Sequence, residues 1–261
     1  MPTRIESQDN SRLKLVRKLR NKKARDEYGR FVIEGYNLVE EALNRNVPMD
    51  FMLVADDFHA DKLIEQCADN RHCDVFEVPA QLFNRLSDAE YGCGILAVVN
   101  KEVFSIEDAD ISEDTNILVL DRVQDPGNIG TMIRTAVAAG YGMVVAVKGT
   151  GDVYSPKVLR ATAGMIFDIP IVYVKDAGEM REFVSGLGKK LAVTTPVGGV
   201  PYYEEDLSEG VALVIGNEGQ GISEEIIEAA DIRVTIPMKG EIESLNAAVS
   251  AAVLMYEAVR K

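Results

Sequence analysis

Apolar and polar positions fall into two series of alternating blocks. In the first, Leu13, Val16 and Leu19 recur at a spacing of three. Arg12, Lys14, Arg17, Lys18, Arg20, Lys22, Lys23 and Arg25 fill the positions around them, which predicts one basic helix over 8–27. After a turn at Tyr28-Gly29-Arg30, apolar runs predict strands at 31–35, 50–55, 75–78 and 94–100. Helical spacing predicts helices at 37–44, 62–69 and 81–86. This is the pattern of a small α/β domain. The acidic stretch Glu107-Asp108-Ala109-Asp110-Ile111-Ser112-Glu113-Asp114 then interrupts the pattern and is expected to be a linker. The second series has uninterrupted apolar strands at 117–120, 143–147, 171–174, 191–194, 211–215 and 234–236. Helices are expected at 129–139, 156–163, 180–187, 224–229 and 245–259. Strands apolar on both sides, separated by helices, predict a mostly parallel sheet covered on both faces. The expected organisation is a domain over 1–106, a linker over 107–114 and a second α/β domain over 115–261.

Composition changes this picture in one respect. The 261 residues are 47% hydrophobic and 27% charged, ordinary for a globular chain. No apolar run approaches the roughly 18 residues of a spanning helix. The start, Met1-Pro2-Thr3-Arg4-Ile5-Glu6, lacks the apolar core of a secretory signal. Cys67, Cys73 and Cys93 lack C-x-x-C spacing, and with His59 and His72 they offer too few ligands in pattern for zinc. The default expectation is a reduced, metal-free, cytoplasmic protein. The net charge of -14 argues against a polyanionic partner until its distribution is considered. Residues 1–30 hold ten of the 28 Lys/Arg and only four of the 42 Asp/Glu. A basic segment on an acidic body is the footprint of a local polyanion-binding arm.

Ligands of parallel sheets bind past the carboxyl ends of strands, and three such ends stand out. They are Asp121-Arg122-Val123-Gln124-Asp125-Pro126-Gly127-Asn128-Ile129-Gly130, Gly216-Asn217-Glu218-Gly219-Gln220-Gly221-Ile222-Ser223, and Pro237-Met238-Lys239-Gly240-Glu241-Ile242-Glu243-Ser244-Leu245-Asn246. None is a P-loop or a dinucleotide fingerprint. Arg134 is the only charge between Asp125 and Lys148, and small or apolar residues stand three and four positions either side of it. It is therefore expected to be at least partly buried and paired with an anion, either Glu218 or a ligand phosphate. Asn128 and Ser244 each read as a helix N-cap or as a ligand contact. The second half has no His, so no Ser/His/Asp set exists there.

Together these loops resemble the motifs of the SpoU/TrmH branch of the SPOUT RNA methyltransferases. D-P-G-N-I-G-T-M-I-R-T-A resembles the first motif, L-V-I-G-N-E-G-Q-G-I the second, and I-P-M-K-G-E-I-E-S-L-N-A-A-V-S-A-A the third, in order across 115–261. S-R-L-K-L-V-R-K-L-R-N-K-K-A-R and G-R-F-V-I-E-G-Y-N-L-V-E-E-A-L resemble the substrate-binding domain that often precedes it, which is similar to a small ribosomal protein fold. Two positions depart from the usual pattern: Ser11 where Pro commonly follows the Asn, and Ala247-Ala248 where the third motif often continues Val-Ser.

The resemblance implies a deep trefoil knot, a homodimer through the catalytic domain, and methylation of an RNA ribose 2′-hydroxyl by S-adenosylmethionine. Ribosomal RNA is preferred over transfer RNA because of the N-terminal domain. By motif position, Arg134, Asn128, Glu218, Ser244 and Asn246 would carry the chemistry. Thr194, Gly216, Asn217, Gly219, Ile236, Met238 and Leu245 would hold the cofactor, and no metal is implied. Arg134 would be the base or, since arginine resists deprotonation, a clamp on the RNA phosphate. Glu218 would fix Arg134 or Asn128. Arg12, Lys14, Arg17, Lys18, Lys22 and Lys23 are the candidate RNA contacts. The competing readings are a tRNA enzyme, a base methyltransferase on the same fold, and a non-catalytic RNA-binding or ribosome-assembly factor. A lost polar motif residue would favour the last, and none is lost.

Overall fold

A computed structural model of the chain describes residues 2–69, 73–87, 93–101, 111–196, 198–240 and 244–260. The chain divides into two compact units, Met1–Val103 with Tyr154–Phe167, and Phe104–Val153 with Asp168–Lys261. Residues 107–110 of the expected linker lie outside the described residues. No described helix is long and apolar enough to cross a membrane.

The first unit begins with β1 (Thr3–Arg4), α1 (Ser11–Lys18), α2 (Lys22–Tyr28), β2 (Arg30–Glu34) and α3 (Tyr36–Asn44). It continues with β3 (Met49–Ala55), α4 (Asp61–Asp69), β4 (Asp74–Val78), α5 (Ala80–Phe83) and β5 (Ile95–Asn100). The sheet order is β1-β4-β3-β5-β2, with β5 antiparallel to both its neighbours. Leu13, Val16 and Leu19 do form the predicted apolar stripe, buried with Phe51, Leu53, Phe76, Phe83 and Leu96. Each such side chain contributes about 1.5–3 kcal/mol by leaving water.

The single basic helix expected over 8–27 is instead two. Asn10 and Asn21 each turn a side-chain oxygen onto a backbone N–H, of Arg12 (2.9 Å) and Lys23 (2.8 Å). An Asn that caps a new helix satisfies donors that a continuous helix would not expose, so Asn21 starts a second helix. Cys67 and Cys73, expected as thiols, are joined in a disulfide with Cα atoms 6.3 Å apart. They stand six positions apart in the sequence. His72 lies outside the described residues.

The second half continues with β6 (Ile117–Asp121), α6 (Pro126–Ala138), β7 (Met143–Val147), α7 (Pro156–Thr162), β8 (Ile171–Val174) and α8 (Ala177–Gly186). Then come β9 (Lys190–Thr194), β10 (Val200–Pro201), β11 (Val211–Gly216), α9 (Glu224–Glu228), β12 (Ile232–Thr235) and α10 (Ala247–Val259). The short strands β1 and β10 are not evident in the apolar pattern, because two residues carry no period. The helix α7 packs in the first unit, against β2, where Tyr154 meets Phe31 with ring centroids 4.8 Å apart. The seven strands of the second unit run in the order β10-β12-β9-β11-β6-β7-β8, and every adjacent pair is parallel. All residues of β6, β7 and β11 are buried, as expected for a sheet covered on both faces. The parallel order sets the carboxyl ends of β12, β9, β11 and β6 side by side along one edge.

Candidate active site

The edge is built by three loops. At its centre β11 and β6 are in register, with Gly216 opposite Asp121. A Cβ on Gly216 would lie 2.4 Å from the backbone of Gly221 and Ile222, so the following loop folds back through the space that a side chain would need. Asn217 holds that loop. Its Oδ1 accepts from Gly219 N and Gln220 N, both at 2.9 Å, and its Nδ2 donates to the Arg122 carbonyl at 2.9 Å.

This loop presents Glu218 to the start of α6. Glu218 Oε2 accepts from Gln124 N, and its Oε1 accepts from Asp125 N and from Asn128 Nδ2, each at 3.0 Å. Asn128 Oδ1 accepts from Asn246 Nδ2 at 2.9 Å. One carboxylate and two amides from all three motifs thus form a single chain of hydrogen bonds. Because Glu218 only accepts, the bond polarity fixes which way the Asn128 amide faces. Burial acts to raise the Glu218 carboxyl, but the Asn128 amide and the Gln124 and Asp125 N–H groups outweigh it and hold the group below its ordinary value.

Two cap expectations are corrected. The N-cap of α6 is Asp125, whose Oδ1 accepts from Asn128 N at 2.8 Å, so Asn128 sits inside the first turn and its side chain bonds Glu218 and Asn246 instead of capping. The N-cap of α10 is Asn246, not Ser244. Its Oδ1 accepts from Ala248 N and Val249 N, while its Nδ2 reaches Asn128. An amide can cap and donate at once, which a serine hydroxyl cannot do with the same reach. Ser244 is exposed.

Arg134 is the largest correction. It is exposed, and its guanidinium makes no hydrogen bond or ion pair among the described residues. The buried stripe of α6 runs through Asn128, Ile129, Met132, Ile133 and Ala136. Arg134 falls on the opposite stripe with Thr131 and Ala138, both exposed. Small neighbours there mark an uncrowded surface, not a burial site. Glu218 is engaged with Asn128 instead.

Of the residues assigned to the cofactor, Thr194 ends β9, Gly216 ends β11 and Ile236 directly follows β12, three neighbouring strand ends. Met238 and Leu245 are apolar side chains each 36% exposed. Sequence reasoning missed Thr195. Its Oγ1 is fully buried without a hydrogen-bond partner, a condition shared among the described residues only by Tyr141 Oη. A buried hydroxyl left unsatisfied at a strand end fits a polar ligand.

The basic segment is less free than its sequence indicates. Arg12 lies 4.1 Å from the Phe76 ring centroid and 3.8 Å from Asp74. Lys14 pairs with Asp9 (2.9 Å), Lys18 donates to Tyr28 Oη (3.1 Å), Lys22 pairs with Asp26 (2.7 Å), and Arg17 donates to the Gln8 carbonyl (3.2 Å). Lys23 is exposed. Arg25, one of the cations around the apolar stripe, is buried and donates to the Leu19 and Arg20 carbonyls at 2.6 and 2.7 Å. Arg20 donates to the Leu86 and Ser87 carbonyls. These two cations close the turn between α1 and α2 and brace it.

Residues 115–256 match the model of the SpoU rRNA Methylase family. The chain belongs to this family. In this SpoU methylase, residues 10–97 also match the MRM3-like substrate binding domain. The chain is 36% identical over 255 residues to the 23S rRNA (guanosine(2553)-2'-O)-methyltransferase RlmP of Bacillus subtilis (strain 168), covering 97% of each. It is 30% identical over 253 residues to the 23S rRNA (uridine(2479)-2'-O)-methyltransferase of Streptomyces viridochromogenes, covering 93% of this chain and 87% of that protein. Among solved structures, the AdoMet-bound rRNA methyltransferase from Sinorhizobium meliloti superposes with a TM-score of 0.88 at 31% identity, covering 99% and 97% of the two chains.

Proposed function

We propose that this SpoU methylase transfers a methyl group from S-adenosylmethionine to a ribose 2′-hydroxyl of ribosomal RNA. The observation that carries the reading is the Glu218–Asn128–Asn246 hydrogen-bond chain, which unites the three motifs at the strand ends. Relatives matched over nearly the whole chain are 2′-O-methyltransferases of 23S rRNA. They act on a guanosine and a uridine, so the likeness supports the ribose as the acceptor and leaves the base open.

When bound, S-adenosylmethionine supplies the sulfonium methyl for an in-line displacement by the ribose oxygen, with S-adenosylhomocysteine as the leaving group and the hydroxyl proton passing to solvent. Thr194, Gly216, Asn217, Gly219, Ile236, Met238 and Leu245 would hold it, with the orphaned Thr195 hydroxyl as a further polar contact. The cofactor would sit in the trefoil knot that the resemblance implies. The adjacency of β12, β9 and β11 is compatible with that path. Arg134, exposed and without a partner among the described residues, would grip the RNA phosphate and place the 2′-hydroxyl. Asn128 would present a fixed amide to the ribose, Asn246 and Glu218 would keep that amide oriented, and Ser244 would border the pocket. Residues 1–106 would dock the RNA through Arg12, Lys14, Arg17, Lys18, Lys22 and Lys23, joined by the 107–114 linker to a catalytic domain over 115–261.

A homodimer is part of the reading. Val249, Tyr256 and Val259 are each about half exposed and share one face of α10. Val249→Glu with Tyr256→Glu should yield a monomer in sedimentation experiments. We place the protein in the cytoplasm, where ribosomal RNA is made in bacteria. Mapping 2′-O-methylated nucleotides in ribosomal RNA from cells with and without the gene tests the function. Identical maps, or a lost mark found only in transfer RNA, would overturn it.

A further inference from the structure

The carboxyl end of β6 holds a feature that the hydrogen-bond chain above does not use. Arg122 has φ of +58°, a left-handed backbone that a residue with a Cβ keeps only where its surroundings hold it. Here hydrogen bonds hold both its N–H and its carbonyl. Its N–H donates to Thr150 Oγ1 (3.1 Å), which in turn donates to the Leu120 carbonyl (2.9 Å). Its own carbonyl accepts from Asn217 Nδ2 (2.9 Å) and Gln124 Nε2 (3.1 Å). The guanidinium lies 3.0 Å from Asp121 Oδ1 through Nε and 3.3 Å from Gln220 Oε1 through a terminal nitrogen. Gly149 leaves room for the side chain, since a Cβ there would stand 3.0 Å from Arg122 Cγ. Asp121 is 1% exposed, and its other oxygen accepts from Ser223 N at 2.7 Å.

These bonds reach the loop after β11 at Asn217, at Gln220 and, through Asp121, at Ser223. Glu218 lies between the first two. We propose that Arg122 is a positioning residue for methyl transfer: it locks the 217–223 loop to the strand end of β6 so that Glu218 meets Asn128. Glycine would take this backbone freely. What arginine adds over glycine is the forked clamp on Asp121 and Gln220. The inference rests on the methyltransferase reading, and it treats Arg122 as an internal brace, not as an RNA contact.

The test measures methyl transfer from labelled S-adenosylmethionine to total ribosomal RNA from cells lacking the gene. The turnover number is expressed per cofactor site counted by calorimetry, so unfolded protein does not enter. Arg122→Gly should lower kcat at least tenfold, with the cofactor Kd and the RNA KM within twofold and a melting temperature within a few degrees of the parent. Arg122→Lys keeps the charge without the fork and should recover less than a third of the parental kcat. Gln220→Ala, which removes only the outer partner, should lower kcat two- to fivefold. A glycine variant with kcat within twofold of an active parent would overturn the inference alone. So would a raised RNA KM at unchanged kcat, which would make Arg122 a docking residue. A parent that transfers no methyl group would overturn the functional reading and this inference with it.

Discussion

The two units differ in where they leave a positive charge available. In the first, cations are dense and nearly all are partnered, by Asp9, Asp26 and Asp74, by Tyr28 Oη, or by carbonyls at helix ends. In the second, Arg122, Arg181 and Arg260 are likewise paired, but Arg134, on a long charge-free stretch, stands exposed with no partner among the described residues. The density of charge along a sequence therefore says little about which charge is available to a ligand. A surface pair is worth roughly 0–1 kcal/mol, so Lys14 or Lys22 can exchange its carboxylate for a phosphate at small cost. Arg25 has no such freedom, and Arg134 needs no exchange at all.

The sharpest way to break the comparison is at Arg134. Arg134→Ala should reduce methyl transfer by about 10²–10³-fold, the scale of losing one donor aimed at a reacting centre. Its cofactor affinity should stay within twofold, measured by calorimetry beside the turnover assay. Arg134→Lys should remain impaired, because an ammonium cannot form the bidentate fork. A lysine variant with most of the activity would return Arg134 to the role of a simple surface charge.

Next in size is a cation on the other side of the contrast. Arg25→Ala should destabilise the protein by about 2–3 kcal/mol, since two carbonyls lose charged donors in a buried turn. Denaturant unfolding reads this directly. Lys23→Ala, at an exposed neighbour, should change stability by less than about 0.5 kcal/mol. Equal effects would show that burial does not separate bracing cations from docking cations.

A smaller effect is expected for RNA docking. Replacing Lys14, Arg17 and Lys18 with Gln should weaken RNA binding and flatten its salt dependence. The log–log slope should fall by roughly 0.7–0.9 for each phosphate that is no longer neutralised. Cofactor affinity should not move. An unchanged slope would place RNA docking elsewhere, with Lys157 and Arg160 of α7 as the next surface to test.

Much of this is legible in the sequence, for reasons that also explain the rest. Apolar runs such as Ile117 to Leu120 and Val211 to Ile215 announce buried strands because both sheet faces are covered. The three motifs name Glu218, Asn128 and Asn246, yet their mutual bonds depend on strand order, which no local pattern encodes. The cap positions are ambiguous in sequence because Asp125 and Asn246 compete with other capping residues close beside them. Arg134 defeats the expectation of burial because small neighbours accompany an outward stripe as readily as an inward one. Arg122 leaves one trace, a charged pair directly ending an apolar strand. Its left-handed backbone leaves none.

The smallest expected effect concerns Glu218. Its carboxyl titrates below the ordinary value of 4.5 in the folded chain. As pH falls, the unfolded chain therefore takes up a proton at this position first. The contribution to stability is full above the ordinary value and disappears as pH drops through the lower folded value. Glu218 is exposed on one side, and solvent screening limits the effect to under about 1 kcal/mol. Other carboxyls, Asp9, Asp26 and Asp231, are lowered too, so the parent's acid unfolding alone does not isolate it. The difference between the parent and Glu218→Gln does. The stability gap between the two proteins should be constant from pH 7 to about pH 5 and should narrow below that. A gap that stays constant through the acid range would mean that Glu218 is not held ionised by Asn128 and the two N–H groups. In that case the carboxylate could not be what orients the Asn128 amide.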